Sequence, residues 1–159
     1  MILVLLGTFP TAFPRPLMEI EALCQTGEIQ EPVIVQSGHT HMESDHMEMR
    51  PFIPPDELSE LCVGARVIIT HAGTGSLIKG IKLQKKIIAV ARLSKYNEMV
   101  DDHQVEILKE FTESGYILPW NEGQSLAQIL SRIDDFQPSP YISNKQNIIN
   151  YLDQYIASL

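Results

Sequence analysis

Val67-Ile68-Ile69-Thr70-His71-Ala72-Gly73-Thr74-Gly75-Ser76-Leu77-Ile78 is the stretch from which the fold can be worked outward. Its first half is an unbroken β-branched run. A strand with one wet face would alternate apolar and polar residues, so this run reads as a strand buried on both faces of a parallel sheet. Its second half is a small-residue turn that opens a helix. In an open α/β sheet such a turn lies at the carboxyl ends of the strands, where ligands bind. Gly73 and Gly75 let backbone N–H groups approach an anion closely, and Thr74 and Ser76 add hydroxyl donors. The helix N-terminus contributes about half a positive charge. The same residues would also make a plain strand-to-helix turn with Ser76 as its cap. Two familiar motifs are absent: position 78 is Ile where a dinucleotide fingerprint has its third glycine, and Gly80 is followed by Ile81-Lys82 rather than the Lys-Ser/Thr of a P-loop.

Around this centre, short β-branched runs alternate with longer helical patterns. Ile2–Leu6, Val33–Gln36, Arg66–Thr70, Lys86–Val90 and Tyr116–Pro119 read as strands. Helices are expected over Pro16–Gln25, Pro55–Cys62, Gly75–Leu83, Asp101–Ser114 and Gln124–Asp134, with a closing helix from Asn144 to Ala157. The pattern predicts a doubly wound α/β fold with a parallel sheet. At 159 residues the chain is expected to form one domain, residues 1–159, large enough to fold without disulfide or metal staples.

Charge and cysteine usage narrow the function. With 12 basic and 20 acidic side chains the net charge is −8, so no broad basic face is available for a phosphate backbone, and nucleic acid is not expected as a partner. Cys24 and Cys62 belong to no metal or redox spacing and read as small buried hydrophobes in a reducing compartment. The apolar start Met1–Leu6 is broken by Gly7, Pro10 and Pro14, far short of the ~20 residues of a membrane span, and it lacks the basic flank of a signal peptide.

Three further segments carry candidate chemistry. Gly7-Thr8-Phe9-Pro10 is a second small-residue turn at a strand end. It would face the Gly73–Ser76 turn across one crevice if strands one and four are neighbours, as the strand order 3-2-1-4-5-6 requires. The loop after Lys86–Val90 brings Arg92 and Lys95, which could neutralise phosphate, and Asp102, His103 and Gln104, whose mixed donors and acceptors suit a polyhydroxylated ligand. Gly38–Met49, dense in His, Met and acids, reads as a loop or edge segment. Its His39, His41, His46, Glu43 and Asp45 fit no standard zinc spacing, so no metal is expected there.

His71–Ser76 followed about 25 residues later by Asp102-His103-Gln104 resembles the donor-binding half of glycosyltransferase family 28. The resemblance is sharpest over residues 66–115 and points toward PssE-like exopolysaccharide transferase subunits and the catalytic subunit of the eukaryotic enzyme that adds the second N-acetylglucosamine to dolichol. It extends more distantly to the carboxyl half of MurG. Lys95-Tyr96-Asn97-Glu98 is similar to the PssE-like branch in particular, as is Gln36-Ser37-Gly38, which would bring His39 to the cleft. The resemblance implies a Rossmann-like half of the GT-B architecture with a UDP-sugar as donor substrate and no further cofactor. A chain of this length leaves no room for the other half. The acceptor half would then be a membrane-associated PssD-like subunit presenting a lipid-linked saccharide, with this chain cytoplasmic and recruited to the inner face of the membrane through it.

Carried over by position, Thr74, Gly75 and Ser76 would hold the diphosphate, Gly7 and Thr8 would face the nucleotide-sugar, and His103 and Gln104 would contact sugar hydroxyls, with His71 and Gly73 also in the donor-binding set. The reaction implied is an inverting displacement at the anomeric carbon. Its general base is not evident, His39 and His103 being the candidates within this chain. Family members usually carry a ribose-binding Glu three residues after the turn's Ser, where this chain has Lys79, and an ammonium has no acceptor to offer a ribose hydroxyl. That departure keeps an alternative open, a non-catalytic nucleotide-sugar-binding or partner-binding module with a degraded donor site. Finally, Ile148, Ile149, Leu152, Tyr155, Ile156 and Leu159 make an apolar helical stripe for packing onto the chain's own sheet or onto a partner.

Overall fold

The computed structural model describes residues 1–143 and 145–157. Six parallel strands, β1 (Ile2–Leu5), β2 (Val33–Gln36), β3 (Met47–Arg50), β4 (Val67–His71), β5 (Lys86–Val90) and β6 (Leu118–Pro119), form one sheet in the order β3-β2-β1-β4-β5-β6. Strands β1 and β4 are therefore adjacent, paired from Ile2 opposite Val67 to Leu5 opposite Thr70. The helices are α1 (Pro14–Gln25), α2 (Pro55–Gly64), α3 (Thr74–Lys82), α4 (His103–Glu113), α5 (Leu126–Ser131) and α6 (Lys145–Ala157).

Alternate residues of the central strands feed two cores. Ile2, Val4, Val67, Ile69 and Ile88 pack with Leu17 and Ile20 of α1 and Leu126 and Ile129 of α5 on one face. Leu3, Leu5, Ile68, Ile87 and Ala89 pack with Cys62 of α2, Leu77 and Ile81 of α3 and Leu108 of α4 on the other. Both faces being covered is why these strands carry no polar alternation. Prolines open α1 and α2, where the missing N–H costs nothing, so α1 begins at Pro14 rather than at Pro16.

Strand β3 was only hinted at by an edge reading of Gly38–Met49. Its Met-Glu-Met-Arg sequence has no β-branched residue, yet it pairs with β2 from Val33 opposite Met47 to Gln36 opposite Arg50. An edge strand needs only one buried face, and here the half-buried Arg50 grips Glu57 of α2 instead. The β2–β3 crossover contains no helix. Its polar residues pin it down: Thr40 Oγ1 accepts from the Phe13 N–H, while Ser44 and His46 both bond Glu21 of α1. Strand β6 is shorter than expected because the Tyr116 N–H still donates to the Phe111 carbonyl at the end of α4, so pairing with β5 begins at Leu118, and Pro119 sits where an edge strand tolerates it. Of the two free thiols Cys62 is buried but Cys24 only half-buried, and burial pushes both above their ordinary range.

No residue of α6 is buried, so its stripe does not pack onto the chain's own sheet. Asn144 and Leu159, which the sequence reading placed in that helix and its stripe, lie outside the described residues.

Candidate functional site

The carboxyl ends of β1, β2 and β4 open onto a crevice of about 610 Å³. Three segments far apart in sequence line it: Gly7 to Pro10 after β1, His71 to Ser76 between β4 and α3, and Met99 with His103, Gln104 and Ile107 around the start of α4. Gln36 at the end of β2 completes it. Adjacency of β1 and β4 is what brings the two glycine turns together, as the strand order requires.

His71 sits between those turns. Its Nδ1 donates to the Leu5 carbonyl at 3.2 Å, a carbonyl that also accepts from Thr70 Oγ1. Burial pushes the imidazole below its ordinary range; the Leu5 carbonyl opposes this and the Arg92 charge adds to it. The ring is thus neutral at physiological pH with Nε2 as a bare acceptor, suited to a hydroxyl of a ligand rather than to a phosphate oxygen. It also explains the glycines. A Cβ on Gly73 would stand 2.1 Å from His71 Nε2, and one on Gly7, whose φ is +81°, would stand 2.7 Å from the ring. A Cβ on Gly75, by contrast, would meet no protein atom within 4 Å.

The polar groups facing the crevice are mostly donors. Helix α3 starts at Thr74 after Gly73 as its N-cap, with no side chain capping its N–H groups, so Ser76 is not a cap. The hydroxyls of Thr8, Thr74 and Ser76 are bound to no other group among the described residues. Gln104 gives its carbonyl oxygen to the Arg92 N–H at 3.1 Å, and Gln36 gives its own to the Ile53 N–H at 3.0 Å. Each buried glutamine is left with its NH₂ as donor. No Asp or Glu lines the crevice, although the chain carries 20 of them. Such a surface suits a ligand rich in acceptors and negative charge.

Several expected contacts fall elsewhere. Arg92 is 1% exposed and its guanidinium is spent on the Leu6, Thr11 and Glu98 carbonyls, so it is no phosphate ligand. Lys95 pairs with Glu122, and the Asp102 carboxylate accepts from the Ser94 N–H at 2.8 Å. Lys79 lies outside the crevice lining and donates to Ser59 Oγ of α2 at 3.0 Å. His39 is exposed and packs edge-on against Phe52, 5.5 Å between ring centres, so it does not line the crevice. His103 does line it. Phe9 and Pro10 line it as part of the expected turn, whereas sequence reasoning missed Met99 and Ile107, whose apolar side chains carry no chemical signature. Among the described residues no three His, Cys, Asp or Glu side chains gather as a metal group: His46 is held by Glu21 and His39 by Phe52.

A doubly wound parallel sheet with its crevice at the strand ends and a glycine turn aimed into it defines a Rossmann-like ligand-binding fold. Residues 6–157 match the glycosyltransferase family 28 C-terminal domain, and the chain belongs to that family. It is 26% identical over 108 residues to the UDP-N-acetylglucosamine transferase subunit ALG13 of Candida albicans, covering 68% of this chain and 35% of that protein. Matches to proteins of the same name from Candida glabrata and Yarrowia lipolytica span 26% and 57% of their lengths. In fold the chain is similar to the NMR solution structure of ALG13, with a TM-score of 0.57 at 20% identity over 91% of both chains. It is likewise similar to the calicheamicin glycosyltransferase CalG4, with a TM-score of 0.59 at 17% identity over 85% of this chain and 34% of that one. The fold is that of one half of a GT-B glycosyltransferase. No described helix is long and apolar enough to cross a membrane.

Proposed function

We propose that this chain is the UDP-sugar-binding, catalytic-side subunit of an inverting two-component glycosyltransferase that extends a lipid-linked saccharide. The observation that carries the reading is the crevice itself, where donor groups from three separate loops converge without a carboxylate. In the reaction the acceptor hydroxyl attacks the anomeric carbon as the glycosidic C–O bond to UDP breaks. The charge growing on the leaving diphosphate is stabilised by the preorganised N–H and hydroxyl groups of the Gly73–Ser76 turn. The attacking hydroxyl's proton goes to a base of the partner subunit or to His103, which lies in the crevice while His39 does not.

The yeast relatives' names support N-acetylglucosamine as the sugar and a subunit's role for the chain. Lys95–Glu98 ahead of Asp102–Gln104 supports the PssE-like branch, hence exopolysaccharide or capsule synthesis with a membrane-associated PssD-like partner that recruits this cytoplasmic chain to the inner face of the membrane. The exposed stripe of α6 (Ile148, Ile149, Leu152, Ile156) is a surface such a partner would cover. No cofactor besides the donor enters this account.

Calorimetry on Ser76→Ala and Gly75→Val tests the site. Loss of the Ser76 hydroxyl removes one charge-assisted hydrogen bond, so UDP binding should weaken by about 1.5–3 kcal/mol. The Gly75 variant should fold normally, since a Cβ there meets no protein atom within 4 Å, yet project into the space a phosphate needs. Unchanged UDP affinity in both would move the site elsewhere.

One observation favours a second reading, a binding module with a degraded donor site: Lys79 where the family has its ribose-binding carboxylate. The structure turns that ammonium toward Ser59 and away from the crevice. Lys79→Glu is therefore expected to change UDP affinity by less than about threefold, under 1 kcal/mol. A tenfold tightening would show that a ribose contact had been lost and restored, and would favour the degraded-site reading.

A further inference from the structure

We propose that Arg92 is a positioning residue that couples the two walls of the crevice; the inference rests on the UDP-sugar reading of that site. Its side chain reaches back beneath the loop after β1. One terminal nitrogen donates to the Thr11 carbonyl at 2.9 Å, to Thr11 Oγ1 at 3.0 Å and to the Glu98 carbonyl at 3.0 Å; the other donates to the Leu6 carbonyl at 2.8 Å. Leu6 and Thr11 bracket the Gly7–Pro10 wall, so the guanidinium clamps both ends of that loop. At the same residue the backbone N–H takes the Gln104 carbonyl oxygen, which leaves the amide's NH₂ as the donor on the opposite wall.

A buried arginine is costly, and the surroundings show how this one is accommodated. The guanidinium lies over the Phe13 ring, 4.8 Å from its centre. Glu98, buried beside it, accepts from Arg15 in a two-pronged pair and from the Leu93 N–H, fixing the loop that presents Met99. Thr11 Oγ1 donates in turn to the Glu98 carbonyl. Only Arg92 Nε lacks a partner among buried side-chain nitrogens and oxygens of the described residues. Three carbonyls held at fixed spacing by one planar fork is a geometric task, which a flexible ammonium does not reproduce.

The test compares Arg92→Met, Arg92→Lys and Thr11→Val with wild type in two measurements. In the ligand-free protein, exchange of the Leu6 amide, the hydrogen-bonded N–H of the 6–11 segment, held by the Gln36 carbonyl at 3.0 Å, should quicken at least about tenfold in both Arg92 variants, while β4 and β5 amides stay protected. In UDP titrations both Arg92 variants should lose about tenfold or more in affinity, lysine failing to rescue. If Arg92 acted on the diphosphate through its charge, lysine would retain most of the affinity and exchange of the Leu6 amide would not change; either result overturns the proposal. Should the Arg92 variants not fold, Thr11→Val, which deletes one clamp contact, must show the same two effects in smaller measure, and wild-type behaviour in it overturns the proposal. A wild type that binds no UDP would defeat the donor-site reading instead, and the exchange measurement would still decide the clamp.

Discussion

Alone, the chain is expected to transfer no sugar above background from UDP-N-acetylglucosamine to a lipid-linked saccharide, and co-expression with an acceptor-binding subunit is expected to raise the rate on the order of 100-fold or more. The crevice is lined by three segments of this chain and opens to water at the strand ends. A lone donor half can hold the nucleotide but has nothing to align the attacking hydroxyl or to strengthen the electrostatics by excluding solvent. On the proposed reading the partner should act without raising UDP affinity to the same degree, because the hydroxyls, glutamine amides and glycine-turn N–H groups assigned to the donor sit in this chain's own crevice. Robust transfer to the same acceptor by this chain alone would sink the split-enzyme reading.

The second large effect concerns Gly73. Gly73→Val should lower stability by about 1–3 kcal/mol through overpacking and reduce UDP binding beyond detection. The His71 ring cannot simply retreat from the new side chain, since Nδ1 is tied to Leu5 and the other flank abuts Gly7. It must swing into the space where the ligand would sit, or the turn must open. Thermal melting and UDP titration together read both consequences. In a His71→Ala background Gly73→Ala should cost far less stability than in wild type, because the two residues are in contact and their effects are not additive. Equal costs in both backgrounds would show that the ring is not what demands a glycine at 73.

Residues whose role follows from local pattern were legible in the sequence. The unbroken apolar runs of β1, β4 and β5 announced strands buried on both faces, and their order put the two glycine turns on one crevice. Thr74, Gly75, Ser76, His103 and Gln104 were recognised by residue type and spacing, and all five line it. Where roles depend on distant neighbours the sequence was silent. An arginine just past a strand end reads as a cation available to a phosphate, and nothing local shows that carbonyls 81 and 86 positions away, at Thr11 and Leu6, would enclose Arg92. Glu98 was part of a family-like motif, but its burial depends on Arg15, 83 positions earlier. Strand β3 was legible only as a loop or edge segment because Met47–Arg50 lacks β-branched residues and is held as an edge by pairing with β2 and by Arg50 on Glu57. His39 followed a strand end as a cleft residue should, yet the exposed face of Phe52 gave its ring another place to pack.

Titrating the ¹⁵N-labelled chain with UDP and following its backbone amides tests the central claim most directly. The account predicts saturable shifts at Gly7 and Thr8, at Gly73 through Ser76 and at His103 and Gln104, three separated segments responding with a single dissociation constant. Absence of shifts at millimolar UDP would contradict it. So would shifts confined to another hollow, such as that between Arg15, Trp120 and Glu122.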